Sequence, residues 1–141
     1  MIILDTNVIS ELMREVPDER VSSWLTKQRV LHLAITTITI GEIQYGIKRL
    51  DRGKRRDQLE NRFAAFVAQG FEGRILSFDE PAAHAFGEIA ARRNKKELND
   101  NVVDMMIAGI AKSVNASIAT RNTKDFAGSG VKLIDPWQTN G

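Results

Sequence analysis

The chain has no cysteine, which excludes disulfide frameworks, thiolate metal sites and cysteine nucleophiles and suits a reducing compartment. Histidine is scarce. Neither His32, read as part of a buried strand, nor His84, read on a helix among alanines, has the neighbours that a catalytic triad or a zinc site requires. No apolar run nears the roughly 18 residues of a membrane helix, and Met1-Ile2-Ile3-Leu4 reaches Asp5 with no basic region before it. Neither a secretory leader nor a membrane span is expected, and the expected location is the cytoplasm. Gly-x-x-x-x-Gly-Lys-Ser/Thr and Gly-x-Gly-x-x-Gly are both missing, which leaves P-loop and dinucleotide sites unsupported. The basic residues are not spaced as a helix-turn-helix reader, so sequence-specific DNA binding by this chain alone is not expected.

What is present is an ordinary globular mix: 141 residues, 43% hydrophobic and 27% charged, enough for one domain over residues 1–141. The formal charge of +2 conceals a strong asymmetry. Residues 48–56 carry six bases against Asp51, and residues 92–96 carry four bases with no acid. Removing these from the totals of 20 and 18 leaves ten bases against 17 acids, a net of −7. Basic segments on an acidic body suit a protein that holds a polyanion near carboxylates, with solvated helix ends as the plain alternative.

Apolar runs alternate with amphipathic segments. Residues 1–5 read as a buried strand that stops at Asp5-Thr6-Asn7, the source of a helix cap, with Val8, Ile9, Leu12 and Met13 following at helical spacing. Helices are expected over 18–28, 39–50 and 54–69, and strands over 30–36 and 74–77. Pro81 suits the first turn of a helix reaching Arg93. The polar stretch 94–101 reads as a loop. A helix over 102–114 follows, with Val103, Met106, Ile107, Ile110 and Val114 on its apolar side, then strands near 116–120 and 131–134. This alternation predicts an α/β domain whose mostly parallel sheet is covered on both faces. Its ligand site should lie outside the carboxyl ends of the strands.

Five oxygen-bearing side chains fall on that edge. Asp5 ends the first strand, Glu42 opens the helix after the second, Asp104 lies in the first turn of the helix before the fourth, and Asn122 and Asp125 follow the fourth. Converging carboxylates repel unless a cation neutralises them, and oxygen donors without His or Cys suit Mg²⁺ or Mn²⁺. Such a centre implies metal-dependent phosphate chemistry. Each residue also has a structural alternative. Asp5 suits a helix cap, Thr39-Ile40-Gly41-Glu42 a capping box, Asp104 the positive end of a helix, and Asn122 an Asx turn. The inference rests on the set.

Four segments carry a resemblance: Met-Ile-Ile-Leu-Asp5-Thr6-Asn7-Val-Ile-Ser-Glu, Thr39-Ile-Gly-Glu42-Ile-Gln-Tyr-Gly46, Val-Val-Asp104-Met-Met-Ile-Ala-Gly-Ile-Ala, and Ile-Ala-Thr120-Arg121-Asn122-Thr-Lys-Asp125-Phe126. Together with the closing Asp-Pro136-Trp137 they resemble the PIN-domain ribonucleases, most of all the VapC-type toxins of bacterial toxin-antitoxin pairs. The resemblance implies a three-layer α/β/α domain and a Mg²⁺- or Mn²⁺-dependent endoribonuclease site. In it Asp5, Glu42 and Asp104 match the family's metal-binding acids, Thr6 supports them, and Asp125 is the acid before phenylalanine. Asn122 departs from the fourth acid that many relatives carry. A homodimer is implied, as is an antitoxin that inserts an arginine into the acids and carries the pair to operator DNA.

Leu12, Met13, Val21 and Trp24 offer apolar surface for that antitoxin, with core packing as the alternative. Arg49, Arg52, Lys54, Arg55, Arg92 and Arg93 are the expected RNA-binding residues. Two other functions remain open at this point. One is a PIN-like binding module whose acids only dock a partner's arginine within a DNA-bound repressor complex. The other is a small phosphohydrolase using the same metal centre.

Overall fold

A computed structural model describes residues 1–138 of the chain; 139–141, the end of the expected domain, lie outside the described residues. The middle layer holds five short strands: β1 (Ile2–Leu4), β2 (Leu33–Thr36), β3 (Ile75–Leu76), β4 (Ser117–Ala119) and β5 (Leu133–Ile134). They are ordered β3-β2-β1-β4-β5, and every neighbouring pair is parallel. Around them pack α1 (Thr6–Leu12), α2 (Glu19–Thr26), α3 (Thr37–Lys48), α4 (Lys54–Gly70), α5 (Glu80–Ala91) and α6 (Lys95–Ser113).

Successive strand side chains point to opposite faces, and the apolar strands feed two cores. Ile3, Ala34 and Ile118 pack with Ala82, Ile89, Met105, Ile107 and Ile110 of α5 and α6. Leu4, Leu33, Ile35 and Ala119 pack with Val8, Ile9, Val21, Trp24, Phe63 and Trp137 on the other face. The result is the α/β/α sandwich the alternation predicts.

Three expectations are corrected. The strand expected over 30–36 begins only at Leu33; Val30–His32 is a 3₁₀ turn with Leu31 75% exposed, so His32 is a surface residue and not a strand residue. The cause is pairing, since Ile2↔Leu33 is the first register pair and earlier residues have no strand beside them. The expected loop 94–101 is helical: Asn94 Oδ1 accepts from the Glu97 N–H at 2.8 Å and starts α6 at Lys95. A helical break remains at Asn101 (φ −127°, ψ 23°). Val114, expected on the apolar side, is the C-cap and is 45% exposed, because α6 ends before it.

Strand order decides where the site lies. From β1 the chain steps to β2 and β3 on one side, then returns to place β4 and β5 on the other. The order reverses between β1 and β4, and the crevice outside their carboxyl ends is where such sheets bind ligands.

Candidate active site

Asp5 follows β1 and Thr120 follows β4. Because these strands pair in parallel with Leu4 opposite Ala119, the two side chains meet across the switch point. The Thr120 hydroxyl is wholly buried. It donates to Asp5 Oδ2 at 2.8 Å and accepts from Asn7 Nδ2 at 3.1 Å and from the Asn122 N–H at 3.0 Å. Its one proton and both lone pairs are thereby used. Asn7 Nδ2 also lies 3.3 Å from Asp5 Oδ2, so the Asp5 carboxyl is fixed by two neighbours. Burial pushes the Asp5 pKa up against the bonds from Thr120 and Thr6, and Glu42 and Asp125 push it further up.

Glu42 is exposed on α3 and held by a chain of hydroxyls. Thr6 Oγ1 lies 2.6 Å from Glu42 Oε1 and 3.1 Å from Thr39 Oγ1. The carboxylate only accepts, so Thr6 donates to Glu42 and receives its own bond from Thr39. Thr39 in turn receives one from Thr36 at 3.4 Å. Asp104 lies three residues past the break at Asn101 and is half-buried. Its pKa is pushed up to about 7, first by burial and then by Asp5, Asp125 and Glu42. Asp125 sits in the 3₁₀ turn Thr123–Phe126, anchored by buried Phe126. Four acids from four parts of the chain therefore share one electrostatic field.

The capping alternatives for Asp5, Glu42 and Asn122 are not realised. Asp5 stands at the N-cap of α1 but its side chain makes no cap bond. The cap of α3 is Thr36, which accepts from the Thr39 N–H, so the expected capping box of Thr39 and Glu42 does not form. Asp104 does stand in the first turn of a helical segment, the one that resumes after the break at Asn101, as the sequence predicts. Asn122 precedes its 3₁₀ turn with no side-chain cap. Among the described residues, no three acids or imidazoles are grouped so as to hold a metal ion as they stand. What unites these acids is their mutual repulsion.

The basic residues divide. Arg55 lines an open groove of about 370 Å³ with Thr6, Met13, Glu42, Ile43 and Leu59, so it stands beside an acid of the site. Arg52, Lys54 and Arg92 are exposed. Arg49 folds back on Tyr45, with Nη1 2.8 Å from its hydroxyl. Arg93 donates through Nη2 to the Asp125 and Ala127 carbonyls, so it braces the turn that bears Asp125. Of the expected antitoxin residues, Val21 and Trp24 are corrected: they are 0% and 5% exposed, in the core. They line no surface, because α2 packs its apolar side on the sheet; Leu12 and Met13 remain half-buried.

Sequence reading missed Thr120 and Asn7. Both hold Asp5 from positions that become neighbours only through β1–β4 pairing. The available signal was a hydroxyl residue at the end of an apolar strand.

Comparison with known proteins adds an independent line. The family model described as PIN domain matches residues 2–128. The chain is 35% identical to VapC ribonuclease Y4jK of Sinorhizobium fredii, over 98% of this chain and 99% of that protein. It is 38% identical to toxin FitB of Neisseria gonorrhoeae, over 97% and 99%. Among solved structures, FitAB bound to an IR36 DNA fragment has a TM-score of 0.86 at 34% identity, covering 100% of this chain and 99% of that one.

Proposed function

Since the chain belongs to the PIN-domain family, we propose that it is a divalent-metal-dependent endoribonuclease, the VapC-type toxin of a toxin-antitoxin pair. The observation that carries this reading is the convergence of Asp5, Glu42, Asp104 and Asp125 at the sheet's switch point, where their charges push the Asp5 and Asp104 pKa values up. The ribonuclease and toxin names of the relatives support it.

The donor set fits Mg²⁺ or Mn²⁺: hard carboxylate oxygens, no thiolate, and mutual repulsion that a cation relieves. Asp5, Asp104 and Glu42 would hold it. A divalent cation bound there supplies charge neutralisation at a phosphodiester and lowers the pKa of a water. The protein's share is orientation. Thr120 and Asn7 hold Asp5, Thr6 holds Glu42, and Asp125 and Asn122 flank them. Charge-bearing Arg55, Arg52, Lys54 and Arg92 would draw the RNA chain in against the repulsion of the acids.

The antitoxin belongs to the same proposal. The groove lined by Met13, Ile43 and Leu59 runs into Glu42 and Thr6, so an apolar peptide seated there could bring an arginine to the acids. Operator DNA would be reached only through that partner, in keeping with the FitAB complex on DNA. A homodimer is proposed as well, with the shallow apolar face of Ile38, Gly41, Tyr45, Val103 and Met106 as its surface.

The test is cleavage of total RNA by the purified, antitoxin-free chain with Mg²⁺ or Mn²⁺, with EDTA, and beside Asp5→Asn. Discrete products that need metal and vanish in the variant are expected. Metal-independent products, or full activity of Asp5→Asn, would sink the assignment. No cleavage by a folded chain whose complex still represses its operator would favour the binding-module reading.

A further inference from the structure

Arg121 is the residue after Thr120, and its backbone N–H donates to Asn7 Oδ1 at 3.1 Å. Its main chain is thus tied to the two side chains that hold Asp5. The side chain is exposed yet not free to roam: its guanidinium carbon lies 4.9 Å from the ring centroid of Trp137. A cation within about 6 Å of an aromatic face is attracted by the ring's quadrupole, and a guanidinium lies flat on it. The indole itself is 4% exposed, so no nucleobase reaches it, and the cation above it faces solvent.

Asp18 feels the charge of Arg121, but its hydrogen bonds go to another arginine, and those of Asp135 go to the backbone. Asp18 accepts from Arg20 Nε at 3.1 Å and Nη2 at 2.9 Å, and Asp135 Oδ1 accepts from the Trp137 N–H at 2.9 Å. Among the described residues no carboxylate forms an ion pair with Arg121. Trp137 also packs in the core that holds Leu4, Val8 and Val21, so the ring beneath this cation is a fixed platform. A pre-set planar cation on the residue after Thr120, which holds Asp5, suits an anion that must enter despite the acids' repulsion. Its fork matches phosphate oxygens two at a time, and a side chain already ordered loses little entropy on binding.

Resting on the ribonuclease reading, we propose that Arg121 is a substrate-binding residue that grips a backbone phosphate of the RNA on the β4 side of the site, with Trp137 as the plate that fixes it. The experiment measures binding of a labelled single-stranded RNA of about 12 nucleotides, a typical site size for such strands. The full chain carries Asp5→Asn to prevent cleavage, and binding is followed from about 50 to 300 mM salt with Arg121, Arg121→Gln or Arg121→Lys.

Arg121→Gln is expected to weaken binding about three- to tenfold and to reduce the log–log salt slope by about 0.7, the value for one single-strand phosphate contact. Arg121→Lys is expected to keep the slope and lose part of the affinity. In the cleaving protein, Arg121→Gln should raise KM with kcat little changed. Unchanged affinity and slope in Arg121→Gln overturns the proposal and leaves the ribonuclease reading intact. So does a variant that binds RNA normally but loses affinity for the antitoxin, which would assign the cation to the protein partner. A parent chain that binds no RNA at any salt overturns both readings, which separates the two failures.

Discussion

Asp104 holds its proton to about pH 7, against an ordinary carboxyl value of 3.8, because burial and three neighbouring acids oppose its charge. The folded chain therefore binds more protons than the unfolded chain between about pH 4 and 7, and this group's contribution to stability falls as pH rises through that window. Asp104→Asn removes the charge at similar volume. The variant should melt above the metal-free parent at pH 8 and no higher than it near pH 4, as thermal melts in EDTA would check, while losing cleavage. The Asp5, Glu42 and Asp104 positions were legible in the sequence because each follows or precedes an apolar strand. Thr120 and Asn7 were not. A hydroxyl after β4 gives no local sign that it will meet Asp5, which lies 115 positions away in the chain.

Among the elements, α6 carries Asp104 and packs on α5 through Gly109. A Cβ there would lie 2.7 Å from the Ala82 carbonyl oxygen and 3.0 Å from the Phe86 nitrogen. Both are backbone atoms that cannot swing aside. Gly109→Ala should destabilise the fold by about 1–3 kcal/mol, the range for an overpacked core, and lower activity by shifting α6. Gly87→Ala, on exposed α5 surface with nothing within 4 Å of the new Cβ, should instead add about 0.5–1 kcal/mol through helix propensity. Denaturant melts of the two variants measure both signs. Element type was readable wherever apolar spacing was strong, as in α4 and the later half of α6. It failed where polarity masked a cap: Asn94 and Glu97 start a helix in a stretch too charged to look like one. It failed again at Val30–His32, where β propensity had no neighbouring strand to satisfy.

At the scale of the molecule, the strand order β3-β2-β1-β4-β5 makes the site. Alternating strands and helices predicted a parallel sheet and its functional edge, but not which strands are adjacent. Adjacency is fixed by long-range pairing, and the reversal between β1 and β4 is what gathers four acids from distant segments. Among the described residues no ion pair joins a base to these four acids, and a divalent cation is the group that would relieve their repulsion. The most direct test is a carboxyl-carbon NMR titration of Asp104, without metal and with saturating Mg²⁺. The account predicts a midpoint near 7 without metal and a fall below about 5 with Mg²⁺, since a bound cation favours the ionised carboxylate. An ordinary midpoint near 4 in both conditions, or a midpoint near 7 that Mg²⁺ leaves unmoved, would contradict it.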